Sequence, residues 1–433
     1  MQSKLSRLGL CNPAFDVMPL KEMIDKNDAG SWGSDPVDVS MNVVRSTNFN
    51  DTGYLDLSDV AKRFLESAVF ETLKLEENEI LIERSGGSET QPVGRVSFIT
   101  KEVAEQGFAY ANFIQRISVK PGIDPKYLFY CLYKMHSAGF TQIMQNQTNG
   151  IRNLEYRFFL KQLFPKPEFT EQQKIASILS SVDDTIKATR NSIAKLERLK
   201  KSLMQNLLTG KMKPDGTWRK DNEFYMDEKF GEVPIGWSVS FVGDSDVAVV
   251  NPNYDYEIDQ YFDFLEMSDV DEKYKGVIKY EKIFIEKRNS GFAKFKNGDI
   301  LFAKITPCTE NGKIAFIEGC SSDIGFGSTE FISISPTENV DGYFLYLNLI
   351  THSVHGRAVA LMEGTTGRQR VPAKIFKNVI QISVPEIEEQ RLIAGRIKIV
   401  EDDIRSKFQK ISKLEKLKKS LMQKLLTGQV RVK

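Results

Sequence analysis

A pair of histidines gives the chain its clearest candidate for metal binding. His352 and His355 are three residues apart, a spacing that would place both rings on one face of a helix. Structural zinc sites usually add cysteines in Cys-x-x-Cys pairs, but Cys308 and Cys320 are separated by eleven residues. The chain has only four cysteines, so we predict neither a metal site nor a disulfide framework.

Two Asn-Pro segments are close to a motif for methyl transfer to a base. Adenine methyltransferases hold a flipped base with an Asn/Asp-Pro-Pro-Tyr/Phe segment. The chain has Asn-Pro-Asn-Tyr at 251–254 and Asn-Pro-Ala-Phe at 12–15, and both lack the second proline. No glycine-rich loop for S-adenosylmethionine accompanies them, and the sequence contains no ATP-binding Gly-x-x-x-x-Gly-Lys-Ser/Thr loop. We therefore interpret both segments as turns and predict no catalytic residues in this chain.

A tandem repeat in the sequence predicts the order of the structural elements. Residues 171–211 align without a gap on residues 389–429, and 22 of the 41 positions are identical. Weaker similarity continues upstream, where Gly94–Ile99 resembles Gly312–Ile317. Internal repeats decide architecture, so we predict the order globular unit, helix, globular unit, helix.

The repeated segments have the pattern of long amphipathic helices. Their apolar residues recur at spacings of three, four and seven, lysines fill the other faces, and Gly210 and Gly428 stand where helices stop. Two matching stripes can bury each other as an antiparallel coiled coil. The residues that we predict to pack between the helices are Ile186, Ile193, Leu196, Leu199, Leu203, Leu207, Ile404, Phe408, Ile411, Leu414, Leu417, Leu421 and Leu425.

The globular units are predicted to be mixed α/β (α+β) folds. Short runs rich in β-branched and aromatic residues predict strands, and these runs are 79–82, 95–99, 113–119, 298–302, 313–318 and 331–335. Residues 127–135 and 343–350 are predicted as short buried helices. The resulting domain boundaries are 1–167 and 231–385 for the globular units, 168–213 and 386–433 for the helices, and 214–230 for a polar linker.

Charge is balanced in total but segregated along the chain. The 59 basic and 58 acidic residues give a net charge of +1, which argues against a simple polycation. The two helix ends, 187–213 and 405–433, are strongly basic, and 215–272 is acidic. No stretch approaches the roughly 18 apolar residues of a membrane span, and the first residues lack the pattern of a signal peptide. The cytoplasm is the expected location.

The two helical motifs resemble those of a known family. Each has Pro-x-x-x-Glu-Gln before a long helix that ends in Lys-Lys-Ser-Leu-Met-Gln-x-Leu-Leu-Thr-Gly, a combination similar to the specificity subunit of type I restriction–modification systems. The matching residues are Pro167, Glu171, Gln172 and 200–210, and then Pro385, Glu389, Gln390 and 418–428. The first globular unit departs from the second because it lacks the Pro-x-Gly-Trp segment that opens the second unit at 234–237.

The resemblance implies a non-catalytic subunit that reads DNA. In that family two target-recognition domains each read one half of a split, asymmetric DNA target, and the paired helices set the gap. The helices also dock two modification (methyltransferase) subunits, and restriction subunits with translocase and nuclease activity join the assembly. Adenine N6 methylation would then belong to the complex, with S-adenosylmethionine, Mg²⁺ and ATP expected on the partner subunits and no cofactor in this chain.

Matched loops in the two units are the candidates for DNA contact under this interpretation. Arg and Lys suit guanine edges, Asn and Gln suit adenine edges, and glycine lets the backbone approach the duplex closely. One loop pair follows equivalent predicted strands at 84–88 and 304–311, and the second pair lies at 149–153 and 367–370. The candidate residues are Arg45, Asn48, Arg84, Ser85, Gly86, Gly87, Ser88, Arg152, Asn153, Lys304, Thr306, Thr309, Asn311, Arg368, Gln369 and Arg370.

Two alternative functions remain open from the sequence. One is a fused or remnant methyltransferase or endonuclease polypeptide, which the missing catalytic modules disfavour. The other is a coiled-coil scaffold with no role on DNA. A gel shift with the partner subunits separates the scaffold from the DNA-reading interpretation.

Overall fold

A computed structural model describes residues 4–36, 40–88, 91–148, 151–272, 276–288, 291–365 and 367–432. The chain divides into two compact units. The first contains residues 1–190 and 409–433, and the second contains residues 191–408. Both divisions fall inside long helices, so each unit includes one half of each predicted helix.

The first unit is a mixed α/β fold. Its strands are β1 (Lys4–Ser6), β2 (Gly9–Cys11), β3 (Asp16–Pro19), β4 (Ile24–Ala29), β5 (Met41–Val44), β6 (Ala61–Arg63), β7 (Ile80–Glu83), β8 (Ser85–Gly87), β9 (Val96–Phe98), β10 (Ala109–Tyr110), β11 (Ile114–Val119), β12 (Gln145–Thr148), β13 (Ile151–Leu154) and β14 (Leu163–Lys166). Its helices are α1 (Leu20–Met23), α2 (Ser67–Leu73), α3 (Lys101–Ala104), α4 (Pro125–Ser137), α5 (Tyr156–Phe159) and the first half of α6 (Phe169–Leu207).

A four-stranded antiparallel sheet forms the centre of this unit. The strand order is β4-β11-β7-β9, and every residue of β7 is buried because the apolar run has cover on both faces. Helix α4 packs on the sheet, with the ring centroids of Phe98 and Phe129 5.6 Å apart. A second sheet, β10-β5-β6, has its own apolar core, and the small sheet β12-β13-β8 lies at the site described below.

The second unit has the same plan. Its strands are β15 (Phe224–Asp227), β16 (Gly231–Pro234), β17 (Ser238–Phe241), β18 (Ala248–Val250), β19 (Gln260–Leu265), β20 (Glu281–Ile285), β21 (Ala293–Phe295), β22 (Ile300–Ala303), β23 (Ile314–Phe316), β24 (Gly325–Gly327), β25 (Phe331–Pro336), β26 (Glu363–Thr365), β27 (Arg368–Arg370) and β28 (Gln381–Val384). Its helices are the second half of α6, α7 (Gly342–Leu349), α8 (His352–Ala360), α9 (Lys374–Asn378) and the first half of α10 (Ile387–Leu426).

Its sheets match those of the first unit with one addition. The order β18-β25-β22-β23 corresponds to β4-β11-β7-β9, and β20-β19-β24-β21 contains a parallel pair, β19 and β24, that corresponds to β5 and β10. Among the described residues, strand β21 has no counterpart in the three-stranded sheet of the first unit. The predicted strands and short helices are confirmed in both units, with ends that differ by up to two residues.

The two long helices form an antiparallel pair with a regular seam. Along each helix, the residues that face the other helix are buried or half-buried. They follow one another at spacings that alternate between four and three, which is the heptad pattern of a coiled coil. On α6 the seam residues are Ile175, Leu179, Val182, Ile186, Thr189, Ile193, Leu196, Lys200, Leu203 and Leu207. On α10 they are the same positions 218 residues later: Ile393, Ile397, Val400, Ile404, Lys407, Ile411, Leu414, Lys418, Leu421 and Leu425.

The prediction that a residue packs between the helices was wrong for three positions. Leu199, Phe408 and Leu417 are 46%, 53% and 47% exposed. In each case the seam position is the adjacent lysine, which buries its aliphatic stem in the seam. Two of these lysines also have acidic partners on the opposite helix: Lys200 pairs with Glu401, and the Lys418 Nζ lies 2.6 Å from the Asp183 Oδ1.

Gln172 and Gln390 explain the glutamine of the repeated motif. The Gln172 side chain accepts a hydrogen bond from the Asp124 backbone N–H (2.9 Å) and donates to the carbonyls of Gly122 and Pro167. Gln390 repeats this pattern with the Asp341 N–H (2.9 Å) and two carbonyls. Asp124 and Asp341 are the N-caps of α4 and α7, so each glutamine fixes the long helix to the globular part of its own unit.

Both units open with a short hairpin. The predicted linker 214–230 contains β15, which pairs with β16 as an antiparallel hairpin. The first unit also has an opening segment, because hairpin β1–β2 precedes β3 as β15–β16 precedes β17. Strands β3 and β17 then pair with β14 and β28 at the helix starts. In the part of the chain that is described, no helix is long and apolar enough to cross a bilayer.

Candidate nucleic-acid interface

The two predicted loops of the first unit meet in one small sheet. Strand β8 pairs with β13, with Gly87 opposite Arg152 and Ser85 opposite Asn153. The Leu154 backbone N–H donates to the Arg84 carbonyl (2.7 Å), and the Ser85 hydroxyl contacts the Asn153 amide oxygen. The sheet thus gathers residues that are almost 70 positions apart. Residues 149 and 150 of the second loop lie outside the described residues.

A third segment reaches the same place. The Ser46 hydroxyl donates to the Ser85 carbonyl (3.3 Å), which brings residues 45–48 beside β8. Beneath them Arg95 and Glu83 form a buried ion pair at 2.7 Å, and the Arg95 guanidinium also donates to the Ser46 and Phe49 carbonyls. Through these hydrogen bonds to Ser46 and Phe49, the buried ion pair fixes the position of residues 45–49.

Asn48 supports the fold of this segment instead of facing solvent. It is 2% exposed, its amide N–H₂ donates to the carbonyls of Asp56 and Asp59, and its oxygen accepts the Arg45 N–H (2.9 Å). With every polar atom used internally, Asn48 has no group left for a base. Arg45 remains half-buried and pairs with the exposed Asp59, a contact that solvent weakens.

Arg84 is the best-placed cation of the first unit. Its Nη1 donates to the Gln115 side chain (2.8 Å), and its guanidinium lies 5.1 Å from the Tyr156 ring centroid. Among the described residues Arg84 has no carboxylate partner, so its charge is not neutralised. The Phe113 carbonyl accepts the Arg84 N–H (2.8 Å), and the Phe113 side chain is half-exposed. In the sequence, Phe113 stands out only as the first residue of the predicted strand 113–119.

The second unit repeats this arrangement. Lys304 corresponds to Arg84: its N–H donates to the Glu330 carbonyl (2.9 Å), and its carbonyl accepts the Val371 N–H (2.7 Å). The Thr306 N–H donates to the Gln369 carbonyl (3.1 Å), so the two candidate loops of the second unit, 304–311 and 367–370, also come together. The same backbone scaffold therefore presents different side chains in the two units.

The remaining candidates of the second unit divide by exposure. Thr309 is 1% exposed and its hydroxyl donates to the Ala303 carbonyl (2.8 Å), so it is structural like Asn48. Asn311 and Arg368 are exposed. Arg370 makes a two-point ion pair with Glu330 (3.0 and 2.7 Å), and this guanidinium lowers the pKa of the Glu330 carboxyl. Arg368 and Arg370 lie on β27, where exposed hydrogen-bond donors are suited to contact base edges or phosphates.

His355 is also structural. Its Nε2 lies 2.8 Å from the Thr309 carbonyl, its ring is buried, and burial lowers its pKa. His352 lies one turn earlier on α8. Within the described residues no group of three potential metal ligands occurs. His355 therefore holds α8 against the loop at 309, and His352 is exposed.

Comparison with known proteins assigns the fold to a family. The family described as "Type I restriction modification DNA specificity domain" matches residues 38–198 and again 251–416. The chain belongs to this specificity family. Both matches combine most of one globular unit with a large part of the helix that follows it, as the repeat requires.

Individual relatives agree with this assignment. The chain is similar to the type I restriction enzyme MjaVIII specificity subunit of Methanocaldococcus jannaschii, with 27% identity over 328 residues, covering 72% of this chain and 71% of the relative. It is 33% identical over 176 residues to the EcoAI specificity subunit of Escherichia coli, covering 40% and 29%.

Solved structures share the fold of the specificity family. The crystal structure of a type I restriction–modification S subunit from M. genitalium superposes with a TM-score of 0.59 at 14% identity and covers 98% of this chain and 99% of that one. A chain from a structure on complex assembly and conformational transition of the type I system gives 0.51 at 13% identity, covering 97% and 99%. At these identities the likeness concerns the fold alone.

Proposed function

We propose that this chain is the subunit that gives a type I restriction–modification complex its DNA sequence specificity, and that each globular unit reads one half of a split target. The observation that carries this proposal is the matched pair of strand-loop sites. The sites at Arg84 and Lys304 have the same backbone hydrogen bonds but different side chains. Two equivalent scaffolds with different donors favour two half-sites of different sequence.

The long helices are proposed to set the unread gap between the half-sites. Helix α6 has 39 residues and α10 has 40, which at 1.5 Å per residue is about 60 Å of helix. A half-site spacing of one turn of duplex is about 34 Å. The helices are therefore long enough to act as a spacer of one turn or more.

Two matching grooves support docking of two modification subunits. In the second unit a groove of about 1100 Å³ is lined on α6 by Lys201, Met204 and Gln205. In the first unit a groove of about 960 Å³ is lined on α10 by the equivalent Lys419, Met422 and Gln423. Lys201, Gln205 and Lys419 are exposed and the fold does not require their identity, whereas Gln423 also contacts the ammonium of the buried Lys134.

The match between these exposed helix residues is informative because the sequences of the two globular units are much less similar than those of the two helices. Of the twelve positions from 199 to 210, eleven match those from 417 to 428. Two copies of one partner, bound to two copies of one surface, would maintain such a match. We propose that methyl transfer, with its S-adenosylmethionine, and ATP- and Mg²⁺-dependent cleavage belong to these partners and to restriction subunits, and that this chain is not itself catalytic.

Reconstitution tests the proposal. The chain should form a complex with its modification subunits that methylates one split DNA sequence, whereas the chain alone and the modification subunits alone should leave DNA unmodified. Incorporation of labelled methyl groups into DNA measures this. Methylation by the chain alone, or by the modification subunits without it at the same sequence, would contradict the proposed role.

A further inference from the structure

The second unit has a cavity of about 460 Å³ beside its candidate reading loops. Its walls include Asn251 and Asn253, from the segment interpreted above as an ordinary turn, together with Lys294 and Lys304. Tyr256, Phe292 and Phe331 form its aromatic part, and Arg288 also lines it. None of the described lining residues is acidic, although the segment 215–272 that supplies part of the wall is acidic overall.

The positive charge of this cavity is only partly offset, and Lys294 is its clearest unpaired cation. The Lys294 ammonium lies 2.6 Å from the Asn253 side-chain oxygen and 3.2 Å from the Tyr254 carbonyl, both neutral acceptors, and 4.9 Å from the Tyr256 ring centroid. Neither Lys294 nor Lys304 forms a direct ion pair among the described residues, although the Glu330 carboxylate, which pairs with Arg370, is near enough to Lys304 to interact with its charge. Arg288 pairs with Asp255, but both side chains are largely exposed and such a pair is weak.

Two amide groups add hydrogen-bond donors. The Asn251 oxygen accepts the Ser333 N–H (3.1 Å), and the Asn253 oxygen faces the Lys294 ammonium. Both oxygens are thus oriented by donors, which leaves the two N–H₂ groups without a partner among the described residues. Asn251 has a positive φ of 53°, a conformation that asparagine tolerates better than most residues. Two ammonium groups and two amide donors around one opening are suited to bind an anion.

We infer that this cavity binds a phosphodiester of the DNA backbone and fixes the second unit on the duplex next to the bases that it reads. The inference rests on the proposed function. Lys304 belongs both to the cavity and to the candidate DNA-contact loops of the second unit. It lines the cavity, and its backbone hydrogen-bonds to Glu330 and Val371 beside those loops. Lys294 lies on β21, the strand without a described counterpart in the first unit, so the contact belongs to the second unit.

Salt dependence of binding tests the inference. A complex of the chain with its modification subunits is titrated against a fluorescent duplex that carries its target, between about 50 and 200 mM KCl, since each phosphate contact contributes about 0.9 to the slope of log K against log salt. Lys294→Gln should make that slope shallower, reducing its magnitude by about 0.9. The substitution should weaken binding equally for the target and for its single-base-pair variants. Lys294→Arg should keep the slope.

Controls separate the possible failures. Lys195→Gln, at an exposed position of α6, should leave the slope unchanged. A wild-type slope in Lys294→Gln and in Lys304→Gln would overturn the phosphate site while leaving the proposed function intact, and so would a loss confined to one base pair. Failure of the wild-type complex to bind the duplex would instead overturn the proposed function, on which the inference rests.

A second arm distinguishes DNA from a free phosphate compound. Inorganic phosphate is titrated calorimetrically into the DNA-free complex. The inference predicts no saturable heat at submillimolar phosphate, because a single isolated phosphate gains none of the contacts that the rest of the duplex makes. Saturable binding that Lys294→Gln abolishes, together with an unchanged slope for DNA, would assign the cavity to a small phosphate compound and overturn the inference.

Discussion

Arg431 and Glu171 form a two-point ion pair that joins the segment after α10 to the first turn of α6. The Arg431 Nε and Nη2 lie 2.7 Å from the two carboxylate oxygens, and the guanidinium lies 4.9 Å from the Phe15 ring centroid. The second unit repeats the contact between Arg219 and Glu389 at 2.5 Å. The glutamate of the repeated motif therefore closes each unit by holding the segment that follows the opposite helix.

Glu171→Gln should lower the free energy of unfolding of the chain by about 2 kcal/mol, because Arg431 loses a buried, charge-assisted partner. Urea denaturation measures the change. Glu168→Gln, an exposed position one turn earlier, is the matched control and should change the free energy by less than about 0.5 kcal/mol. Equal effects of the two substitutions would show that the ion pair does not close the unit.

Asp183 should be essential to the helix seam. It pairs with the buried Lys418 and accepts a hydrogen bond from the Tyr130 hydroxyl (2.8 Å). Asp183→Ala leaves an uncompensated ammonium in the seam and should cost about 3 kcal/mol, whereas Asp184→Ala at the exposed neighbouring position should cost little. Thermal or urea unfolding checks this. The double variant Asp183→Ala/Lys418→Met should recover much of the loss, and failure to recover would refute the charge-burial explanation.

The seam also shows what sequence could and could not predict. The repeat and its period gave the long helices, their antiparallel pairing and most of the buried residues. Hydrophobicity favoured Leu199 and Leu417, but the seam takes the adjacent lysines. That choice depends on acidic partners of the opposite helix, Glu401 and Asp183. Such partners become visible only after the helices are paired.

At the candidate interface the loops were predictable and the roles of single residues were not. Matching strands before Arg84 and Lys304 identified equivalent loops. Asn48 and Thr309 have residue types that suit base contacts, yet tertiary hydrogen bonds to carbonyls bury them. The hairpin at 224–234 was missed because its polar composition outweighed its short strand pattern, and pairing between the two strands stabilises it.

Lys134 should make stability depend on pH. Burial lowers the pKa of its ammonium to about 8, below the value near 10.4 that an unfolded chain has. The folded state therefore carries the cost of a buried charge in full below pH 8, and the cost disappears as pH rises from 8 to about 10.4. Lys134→Met should raise the midpoint of thermal unfolding at pH 7, with a smaller gain at pH 10.

The control for this prediction is Lys161→Met, at an exposed position of the same unit. Its effect on the midpoint should be small and should not vary between pH 7 and pH 10. A gain in Lys134→Met that stays constant or grows with pH would contradict the assignment of a lowered pKa to Lys134.

Arg84 and Arg368 should each affect a single half of the DNA target. Arg84→Gln should weaken binding of the assembled complex by about 1–3 kcal/mol and relax discrimination at one base pair of one half-site. Arg368→Gln should do so in the other half. Competition binding with duplexes changed at each base pair measures this. Relaxed discrimination in the same half for both variants would contradict one reader per half-site.

Exchange of one reader tests the central claim most directly. Residues 1–167 are replaced by the first globular unit of another member of the family, and the host genome is sequenced for methylated adenine. The proposed function predicts a split methylated sequence in which one half changes while the other half and the gap stay the same. A methylated sequence that stays unchanged, or that changes in both halves, would contradict the reading of one half-site by each unit.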